Sequence, residues 1–488
     1  MRIKWPHVMQ AGPPCRFNSP GGRDINTQEE TRMTGIPSAI PSSNLNHSFL
    51  SSNAPVAMKM PSLFASSLAL LAASAAGAAA ACTGKKNSTG YVNAVYFTNW
   101  GTHNGTNYQP AALPAPQISH LNYAFVNLTI NGTVFSADPV ADTERRYPGD
   151  FQLTRRAAQD KSDTANVYGA VKQLFLLKKA NRHMKLLISI GGWTWSQNPA
   201  FATVAASNAT RLTFARSAVE LVRDWGFDGI DLDWEYPQDA KQAADMVLLL
   251  QALRDELDAY AARSAPGYRF QLTIASPAGA AAYNKLQLAK LGAILDYVHL
   301  MAYDFAGSWS KASGHLAHLY TNPQLVNRSA DSAVRDYIKG GVPPHKLVLG
   351  MPIYGRAFPN TTGLGEPFTS TPPTPGHEEP DTYMYNKLPK AGAVEMYDDV
   401  AKAVYSYDNR TRELISYDTP AVTRDKVAYV KRLGLGGSMF WEASGDRNGS
   451  QSLIGTSLHA LGSLDSSQNL LDYPDSRYAN IRNKMACS

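Results

Sequence analysis

Cysteine is rare in this chain of 488 residues, which contains only Cys15, Cys82 and Cys487. The three residues lie far apart, so the paired spacing typical of a zinc site is missing and a framework of several disulfides is excluded. If the segment before Cys82 is removed, Cys82 and Cys487 remain. The sequence leaves open whether these two form a disulfide or stay free.

Other features that would indicate particular classes of protein are also missing. The formal net charge is only +6 and no long Lys/Arg run occurs, so the sequence does not indicate a nucleic-acid partner. No Gly-x-Gly-x-x-Gly turn follows the first predicted strand, which argues against a dinucleotide-binding fold. No repeat, Ser/Thr-rich linker or Cys-rich module is visible, so we expect no accessory domain.

The N-terminal region divides into two segments. Residues 1–57 are rich in Pro, Ser, Asn, Gly and Arg without apolar periodicity, which predicts a disordered or mis-annotated extension upstream of a start at Met58 or Met60. Residues 58–81 have a Lys near their start, an apolar run and small residues at their end, the layout of a signal peptide. A transmembrane anchor is the alternative, but the run is Ala-rich and weakly apolar.

Glycosylation motifs fit the prediction of a secreted, extracellular protein. The pattern Asn-x-Ser/Thr is frequent, and many copies suit a glycosylated protein although each copy alone is a weak signal. The motif occurs at Asn87, Asn104, Asn127, Asn131, Asn208, Asn327, Asn360, Asn409 and Asn448.

From about residue 90, short apolar runs alternate with stretches of helical period. This alternation predicts an α/β fold, a (β/α)₈ TIM barrel, with a doubly wound open sheet as the alternative. The predicted strands are 92–98, 118–127, 184–190, 227–235, 270–276, 295–304, 346–354 and 435–442. The predicted helices are 164–182, 201–225, 240–263, 329–339, 421–433 and 450–462.

Two connections are longer than ordinary loops, namely 128–163 and 359–418. The second mixes a helix-like piece with strand-like runs, which predicts a small α+β insertion domain between strands seven and eight. The barrel, which would be the catalytic domain, then comprises residues 90–358 and 419–465, and residues 466–488 form a C-terminal tail.

The stretch "GFDGIDLDWEYP", residues 226–237, contains four carboxylates within eight positions. On a strand, Asp231, Asp233 and Glu235 share one face, which would point into the barrel and climb to its carboxyl end. Crowded buried carboxylates keep protons to higher pH, and a protonated Glu at the mouth is a general acid. Two alternatives are a solvated acidic turn and a divalent-metal site. A solvated turn would not place Ile, Leu and Trp between the acids, and the spacing of the acids does not match an EF-hand calcium loop.

With these residues on the fourth strand, the sequence resembles secreted fungal-type chitinases of glycoside hydrolase family 18. The family signature Asp-x-x-Asp-x-Asp-x-Glu is met by Asp228, Asp231, Asp233 and Glu235. The resemblance covers about residues 90–465. Further motifs follow in order: "AVYFTNW" 94–100, "YAF" 123–125, "SIGGW" 189–193, "MAYDFAGSW" 301–309, "YGRAF" 354–358 and "GGSMFWE" 436–442.

The resemblance implies a retaining mechanism assisted by the substrate. Glu235 would protonate the glycosidic oxygen, and the 2-acetamido carbonyl oxygen of the sugar would attack to form an oxazolinium ion. Asp233 would orient the acetamido N–H, Asp231 would share a proton with Asp233, and Tyr303 would bind the acetamido carbonyl. Asp228 would brace the strand from below.

The resemblance also implies the residues that bind substrate. Trp441 would form the floor for the distorted sugar, and Trp100 and Trp193 would stack sugars on either side of it. Other residues would line the cleft, although Phe125 and Met301 could equally be ordinary core. These are Tyr96, Phe125, Gly191, Gly192, Tyr236, Met301, Asp304 and Arg356.

We therefore predict hydrolysis of β-1,4 bonds between N-acetylglucosamine units of chitin and chitooligosaccharides, without a cofactor or metal. The alternatives are an endo-β-N-acetylglucosaminidase acting on N-glycans and a chitin-binding lectin on the same barrel. The predicted partner is the chitin chain itself, and we expect a monomer that contacts no nucleic acid, nor any membrane after signal cleavage.

Overall fold

The computed structural model describes residues 90–486, apart from 104, 149, 151–162, 324–327 and 370–380. The predicted extension 1–57 and signal peptide 58–81 lie outside the described residues, as do the cysteines and the motifs at Asn87, Asn104 and Asn327. Within the described part of the chain, no helix has both the length and the apolar character needed to cross a membrane.

Eight parallel strands close into a barrel, because the first strand pairs with the second on one side and with the last on the other. This closure confirms the predicted fold class over the open-sheet alternative. A short strand, β3 (Val134–Ser136), pairs antiparallel with the second barrel strand. The barrel strands are β1 (Val92–Thr98), β2 (His120–Leu128), β4 (Lys185–Gly191), β5 (Gly229–Asp233), β6 (Gln271–Pro277), β7 (Tyr297–Met301), β8 (Leu347–Pro352) and β14 (Gly437–Trp441).

Helices cover the outside of the barrel, where they bury the apolar faces of the strands. Ile230 and Leu232 of β5 are fully buried in this outer core. The predicted helix 201–225 is divided at Ser207, which has extended backbone between two helices. The helices are α1 (Gly169–Ala180), α2 (Trp193–Ser196), α3 (Ala200–Ala206), α4 (Asn208–Trp225), α5 (Ala240–Ser264), α6 (Ala280–Tyr283), α7 (Leu288–Ile294), α8 (Ala330–Lys339), α9 (Pro420–Leu433), α10 (Leu453–Leu461) and α11 (Ala479–Arg482).

The insertion between β8 and β14 is built around a five-stranded antiparallel sheet in the order β10-β9-β13-β12-β11. Its helix-like sequence forms a strand and a turn, and a 3₁₀ turn at Tyr385–Lys387 is the one helical element among its described residues. Its strands are β9 (Tyr354–Phe358), β10 (Thr382–Met384), β11 (Val394–Asp398), β12 (Ala403–Asp408) and β13 (Glu413–Tyr417).

The boundary of the insertion differs from the predicted one, because its sheet begins at Tyr354 and not at residue 359. The predicted strand 346–354 covers β8 and then a corner at Ile353. The backbone N–H of Ile353 donates to the carbonyl of Trp441 (2.7 Å), and its carbonyl accepts from Tyr385 (3.1 Å). The run is apolar and carries no periodic signal for such a corner, and Pro352, directly before Ile353, is the local sign that the strand ends there.

Residues 466–486 pack across the amino-terminal end of the barrel. Tyr473 is fully buried, and its hydroxyl donates to the carbonyl of Phe227 (2.7 Å), just before β5. The side-chain amide of Asn469 donates to the carbonyls of Lys178 and Met184, both at 2.8 Å. This segment therefore closes the base of the barrel.

Asp228 is the centre of that base, which agrees with its expected position below the ladder. Its carboxylate accepts from Lys178 (2.8 Å), the backbone N–H of Leu186 (2.8 Å), the Tyr268 hydroxyl (2.9 Å) and the backbone N–H of Leu470 (2.9 Å). Burial lowers the pKa of Lys178 to about 8, although the attraction of Asp228 opposes the shift. The pair anchors β5 at the end opposite the candidate site.

Replacing Lys178 by Met should destabilise the protein strongly, because Asp228 would stay buried without its cation. Breaking one side of a buried ion pair typically costs about 3–5 kcal/mol. Thermal and denaturant unfolding would measure the loss. Lys179→Met is the matched control, since Lys179 is exposed and, among the described residues, donates to the carbonyls of Lys484 and Met485 in the C-terminal segment. Equal, small losses in both variants would contradict the role of the pair.

Candidate active site

Strand β5 places the carboxylate ladder inside the barrel, as its alternation predicts. Asp231 and Asp233 lie on the inner face of the strand, and Glu235 follows two residues after Asp233. Their exposed fractions rise along the chain, from 0% for Asp231 to 3% for Asp233 and 7% for Glu235. The ladder therefore climbs from the barrel interior to the carboxyl-terminal mouth.

Asp231, the lowest member, is held by hydroxyl groups from three other strands. The hydroxyls of Tyr96 (2.7 Å), Ser189 (2.7 Å) and Thr273 (2.6 Å) donate to its carboxylate, and Nδ1 of His299 lies 3.4 Å away. Burial alone would raise the pKa of Asp231, but His299, Thr273 and Tyr96 outweigh burial and lower it. Asp231 is therefore the charged member of the ladder.

Asp233 has the opposite character. Burial, followed by the negative charges of Glu235 and Asp231, raises its pKa well above the ordinary value. Its Oδ1 atom is buried and has no hydrogen-bond partner among the described residues. Asp233 therefore favours its protonated form more than an ordinary aspartate does, and one of its oxygens is available to a ligand. Whether Asp231 shares this proton, as the sequence predicts, stays a prediction.

Glu235 stands at the mouth, where the Tyr236 hydroxyl donates to its Oε2 atom (2.9 Å). Its own backbone N–H donates to the hydroxyl of Ser196 (3.0 Å). Burial raises the pKa of Glu235 to about 7, with Asp304 adding to the shift and Tyr236 opposing it. A carboxyl with this pKa can both give and take a proton near neutral pH, as an acid–base catalyst must.

A row of aromatic rings forms one wall of the mouth. Phe125 stacks on Trp441 with ring centroids 5.8 Å apart and on Trp100 at 5.9 Å. Tyr96 also packs against Trp441, with ring centroids 5.2 Å apart and the ring planes tilted by 54°. Phe125, for which the sequence left core and binding roles open, is half-buried between the two tryptophans. Such stacked rings offer flat apolar faces to a ligand.

The glycines of "SIGGW" make room for this wall. Gly191 and Gly192 have φ of +114° and +84°, values that favour glycine. A Cβ on Gly192 would lie 2.5 Å from the Phe125 ring, and one on Gly191 would lie 2.4 Å from the carbonyl of Asp233. Both positions therefore require glycine, and the turn that they form leads directly into Trp193.

A cleft of about 670 Å³ opens beside Glu235. This volume lies in the range of small-molecule sites. Six of the predicted residues line it, namely Trp193, Glu235, Tyr236, Met301, Tyr303 and Asp304. Tyr303 is almost fully buried, and burial together with the charges of Asp233 and Asp304 raises its pKa well above the ordinary value. Tyr303 therefore remains a neutral hydrogen-bond donor.

The insertion contributes to the cleft through β9. Arg356 Nε (2.5 Å) and the Tyr354 hydroxyl (2.8 Å) both donate to Asp304 Oδ1, and Asp304 borders the cleft. The Arg356 guanidinium also lies 4.7 Å from the ring of Trp309, which is 39% exposed. The insertion sheet thus supplies residues that hold the rim of the cleft.

Sequence reasoning missed the residues that support the ladder. Ser189, Thr273, His299 and Ser196 are ordinary strand and loop residues whose partners are distant in the chain. Of these four, only Ser189 could have been suspected from the sequence, because it belongs to the motif "SIGGW". Tyr354 and Trp309 also lie within family motifs, "YGRAF" and "MAYDFAGSW", but nothing in those motifs marks them as residues of the site.

The metal-cage alternative for the ladder is not favoured by the geometry. Over the described ranges, no group of three or more His, Cys, Asp or Glu side chains is arranged to hold a metal ion. The carboxylate of Asp231 faces hydroxyl donors, which stabilise an anion without a cation.

Comparison with known proteins identifies the family of the chain. The family model described as "Glycosyl hydrolases family 18" matches residues 92–446. The chain belongs to glycoside hydrolase family 18. It is 60% identical over 438 residues to Endochitinase 1 of Metarhizium robertsii. The matched region covers 88% of this chain and 100% of that protein. It is also 56% identical over 404 residues to Chitinase 1 of Aphanocladium album, a match that covers 82% of this chain and 92% of that protein.

Solved structures of family 18 proteins share the fold. The catalytic domain of psychrophilic chitinase B from Arthrobacter TAD20 is similar with a TM-score of 0.68 and 29% identity. The match covers 78% of this chain and 98% of that domain. The family 18 barrel therefore accounts for nearly all of the described residues.

Replacing Tyr236 by Phe should raise the pKa of Glu235 above about 7, because the lost hydroxyl stabilises the ionised carboxylate. Carbon-13 NMR titration of the glutamate carboxyl carbons would measure the shift without any substrate. Tyr268→Phe, which removes a donor from Asp228 at the far end of β5, is the control and should leave the titration of Glu235 unchanged. An unchanged pKa in Tyr236→Phe would contradict this description of the site.

Proposed function

We propose that this chain is a chitinase that hydrolyses β-1,4 bonds between N-acetylglucosamine units with retention of configuration. The observation that carries the proposal is Glu235, which has a pKa of about 7 and lines the cleft, with Asp233 two residues before it and the pKa of Asp233 raised well above its ordinary value. The 60% identity to Endochitinase 1 supports chitin and its oligomers as substrate.

In the first step, Glu235 donates its proton to the oxygen of the bond to be cut, and the leaving sugar departs with it. The carbonyl oxygen of the 2-acetamido group on the retained sugar attacks the anomeric carbon and forms the oxazolinium ion. The free Oδ1 of Asp233 supports its role as acceptor for the acetamido N–H. Passage of the Asp233 proton toward Asp231 would then give Asp233 the negative charge that stabilises the oxazolinium ion.

Tyr303 completes the positioning of the nucleophile. As a neutral phenol beside Asp233, it donates to the acetamido carbonyl oxygen and holds it against the anomeric carbon. In the second step Glu235, now ionised, removes a proton from water, which opens the oxazolinium ring from the face that the leaving group vacated. Two inversions at one carbon leave its configuration unchanged.

The remaining predicted residues would bind the sugar chain. Trp441 is proposed as the floor beneath the distorted sugar, with Trp100 beyond Phe125 on one side and Trp193 in the cleft on the other. The spread of these three rings along the mouth supports several sugar subsites. Asp304 and Arg356 would anchor the polar edges of the bound sugars.

Two other functions fit the barrel less well. A chitin-binding lectin would need no general acid, yet Glu235 is present with a raised pKa and with both aspartates beneath it. An endo-β-N-acetylglucosaminidase acting on N-glycans could use the same ladder, but the row of stacked aromatic rings favours a linear chain.

Incubation with chitin hexamer and with an N-glycosylated protein separates these functions. We expect shorter oligomers from the hexamer, with the new reducing end first appearing as the β-anomer in proton NMR. Release of glycan from the glycoprotein without cleavage of the hexamer would contradict the proposal, as would binding of hexamer without products. Glu235→Gln should lower turnover by at least about 10²–10⁴-fold while hexamer binding persists.

Two controls accompany that variant. Asp239→Asn changes a nearby exposed carboxylate that caps α5 by accepting from the backbone N–H of Gln242 (2.8 Å), so it should keep full turnover. A chelator should leave the unmodified protein active. Activity that persists in Glu235→Gln but disappears with chelator would favour the metal cage instead.

We also propose that residues 58–81 are a signal peptide, that residues 1–57 are absent from the secreted form, and that the barrel interrupted by the insertion is the catalytic domain. The layout of apolar and small residues before Cys82 supports this. N-terminal sequencing of the protein from culture medium should give a start near Cys82. A mature protein that begins upstream of Met58 would contradict it.

A further inference from the structure

A second buried carboxylate lies outside the ladder, at the mouth of the barrel. Asp142 belongs to the short helical turn Val140–Glu144 that follows β3, and it is 0% exposed. Three neutral groups donate to it: the side-chain amide of Asn99 (3.0 Å), the Tyr123 hydroxyl (2.5 Å) and the Ser136 hydroxyl (2.5 Å). The mechanism above makes no use of this group.

Burying such a carboxylate is costly unless its hydrogen bonds compensate. Burial raises the pKa of Asp142 to about 6 and Asp138 adds to the shift, while Ser136, Tyr123 and Asn99 oppose it. At neutral pH Asp142 is therefore mainly ionised, and its hydrogen bonds are the stronger, charge-assisted kind. A charged acceptor at this place fixes the positions of its three donors.

The donor that matters for the cleft is Asn99. It follows β1 directly and precedes Trp100, the outer ring of the aromatic wall. The same amide nitrogen also donates to the carbonyl of Phe125 (3.4 Å), and the Asn99 carbonyl accepts from the Thr102 hydroxyl (2.7 Å). Asn99 therefore links Asp142 to the turn that carries Trp100 and to the backbone of Phe125, the residue on whose ring Trp100 stacks.

We propose that Asp142 is a positioning residue that, through Asn99, holds Trp100 stacked on Phe125 and so sets the strength with which the cleft binds sugar at that end. The proposal rests on the sugar-binding role given to Trp100 under the proposed function. Asp142 touches no substrate, and its effect passes through the turn at 99–102.

The chemistry of the site provides a matched pair of variants. Asp142→Ala removes the acceptor and leaves the Asn99 amide and the Tyr123 hydroxyl without their partner. Asp142→Asn retains an oxygen for these two donors, and its own amide can donate to the Ser136 hydroxyl. Asp142→Asn should therefore rescue the positioning that Asp142→Ala loses.

Hydrogen exchange of the full chain without ligand tests the positioning directly. In Asp142→Ala, amides in residues 99–103 should exchange faster than in the unmodified protein, while those of β6 on the far side of the barrel stay unchanged. Asp142→Asn should exchange like the unmodified protein. Unchanged exchange at 99–103 in Asp142→Ala would overturn the proposal.

Kinetics with chitin hexamer test the link to Trp100. Asp142→Ala should raise KM about tenfold with little change in kcat, because a misplaced binding ring weakens binding of ground state and transition state alike. Adding Asp142→Ala to Trp100→Ala should raise KM no further, since both changes remove one interaction. Additive effects, or a fall in kcat alone, would overturn the proposal.

The two tests also separate this inference from the proposed function. If Trp100→Ala leaves KM for the hexamer unchanged, the sugar-binding role of Trp100 is wrong and the inferred effect of Asp142 on binding falls with it. If Trp100→Ala raises KM and Asp142→Ala does not, only the positioning role of Asp142 is wrong.

Discussion

The ring of hydroxyl donors around Asp231 is the interaction on which the rest of the site depends. Tyr96, Ser189 and Thr273 come from β1, β4 and β6, so the three donors converge only when the barrel is closed. His299, together with Thr273 and Tyr96 of this ring, keeps Asp231 charged inside the protein. That fixed charge helps to raise the pKa of Asp233, the next carboxylate along the strand. The protonation of the site is thus a property of the whole barrel, although its acids lie on one strand.

Much of this organisation could be predicted from the sequence, for physical reasons. The inner and outer faces of β5 follow from the two-residue period of a strand, which places Asp231 and Asp233 together opposite Ile230 and Leu232. The eight strands were visible as apolar runs, because parallel barrel strands are buried on both faces. Their ends were predicted less well, since strand 227–235 is in fact Gly229–Asp233.

Other features could not be predicted, because they depend on contacts between distant parts of the chain. No local pattern marks Thr273 or His299 as partners of Asp231, or Asn99 as a partner of Asp142. The corner at Ile353 lies within an apolar run in which only Pro352 marks a break, and the start of the insertion sheet was placed five residues late. Its helix-like stretch became β11 and a turn because pairing with β12 outweighed local preference.

The packing of the C-terminal segment against the barrel base has a consequence for biosynthesis. Leu470 donates to Asp228 across 242 positions of sequence, and Tyr473 donates to the carbonyl of Phe227 across 246. A ribosome synthesises β5 long before it reaches either partner. The base below β5 therefore stays open until Leu470 and Tyr473 have also been synthesised, so Asp228 gains its full set of partners long after β5 itself has been made.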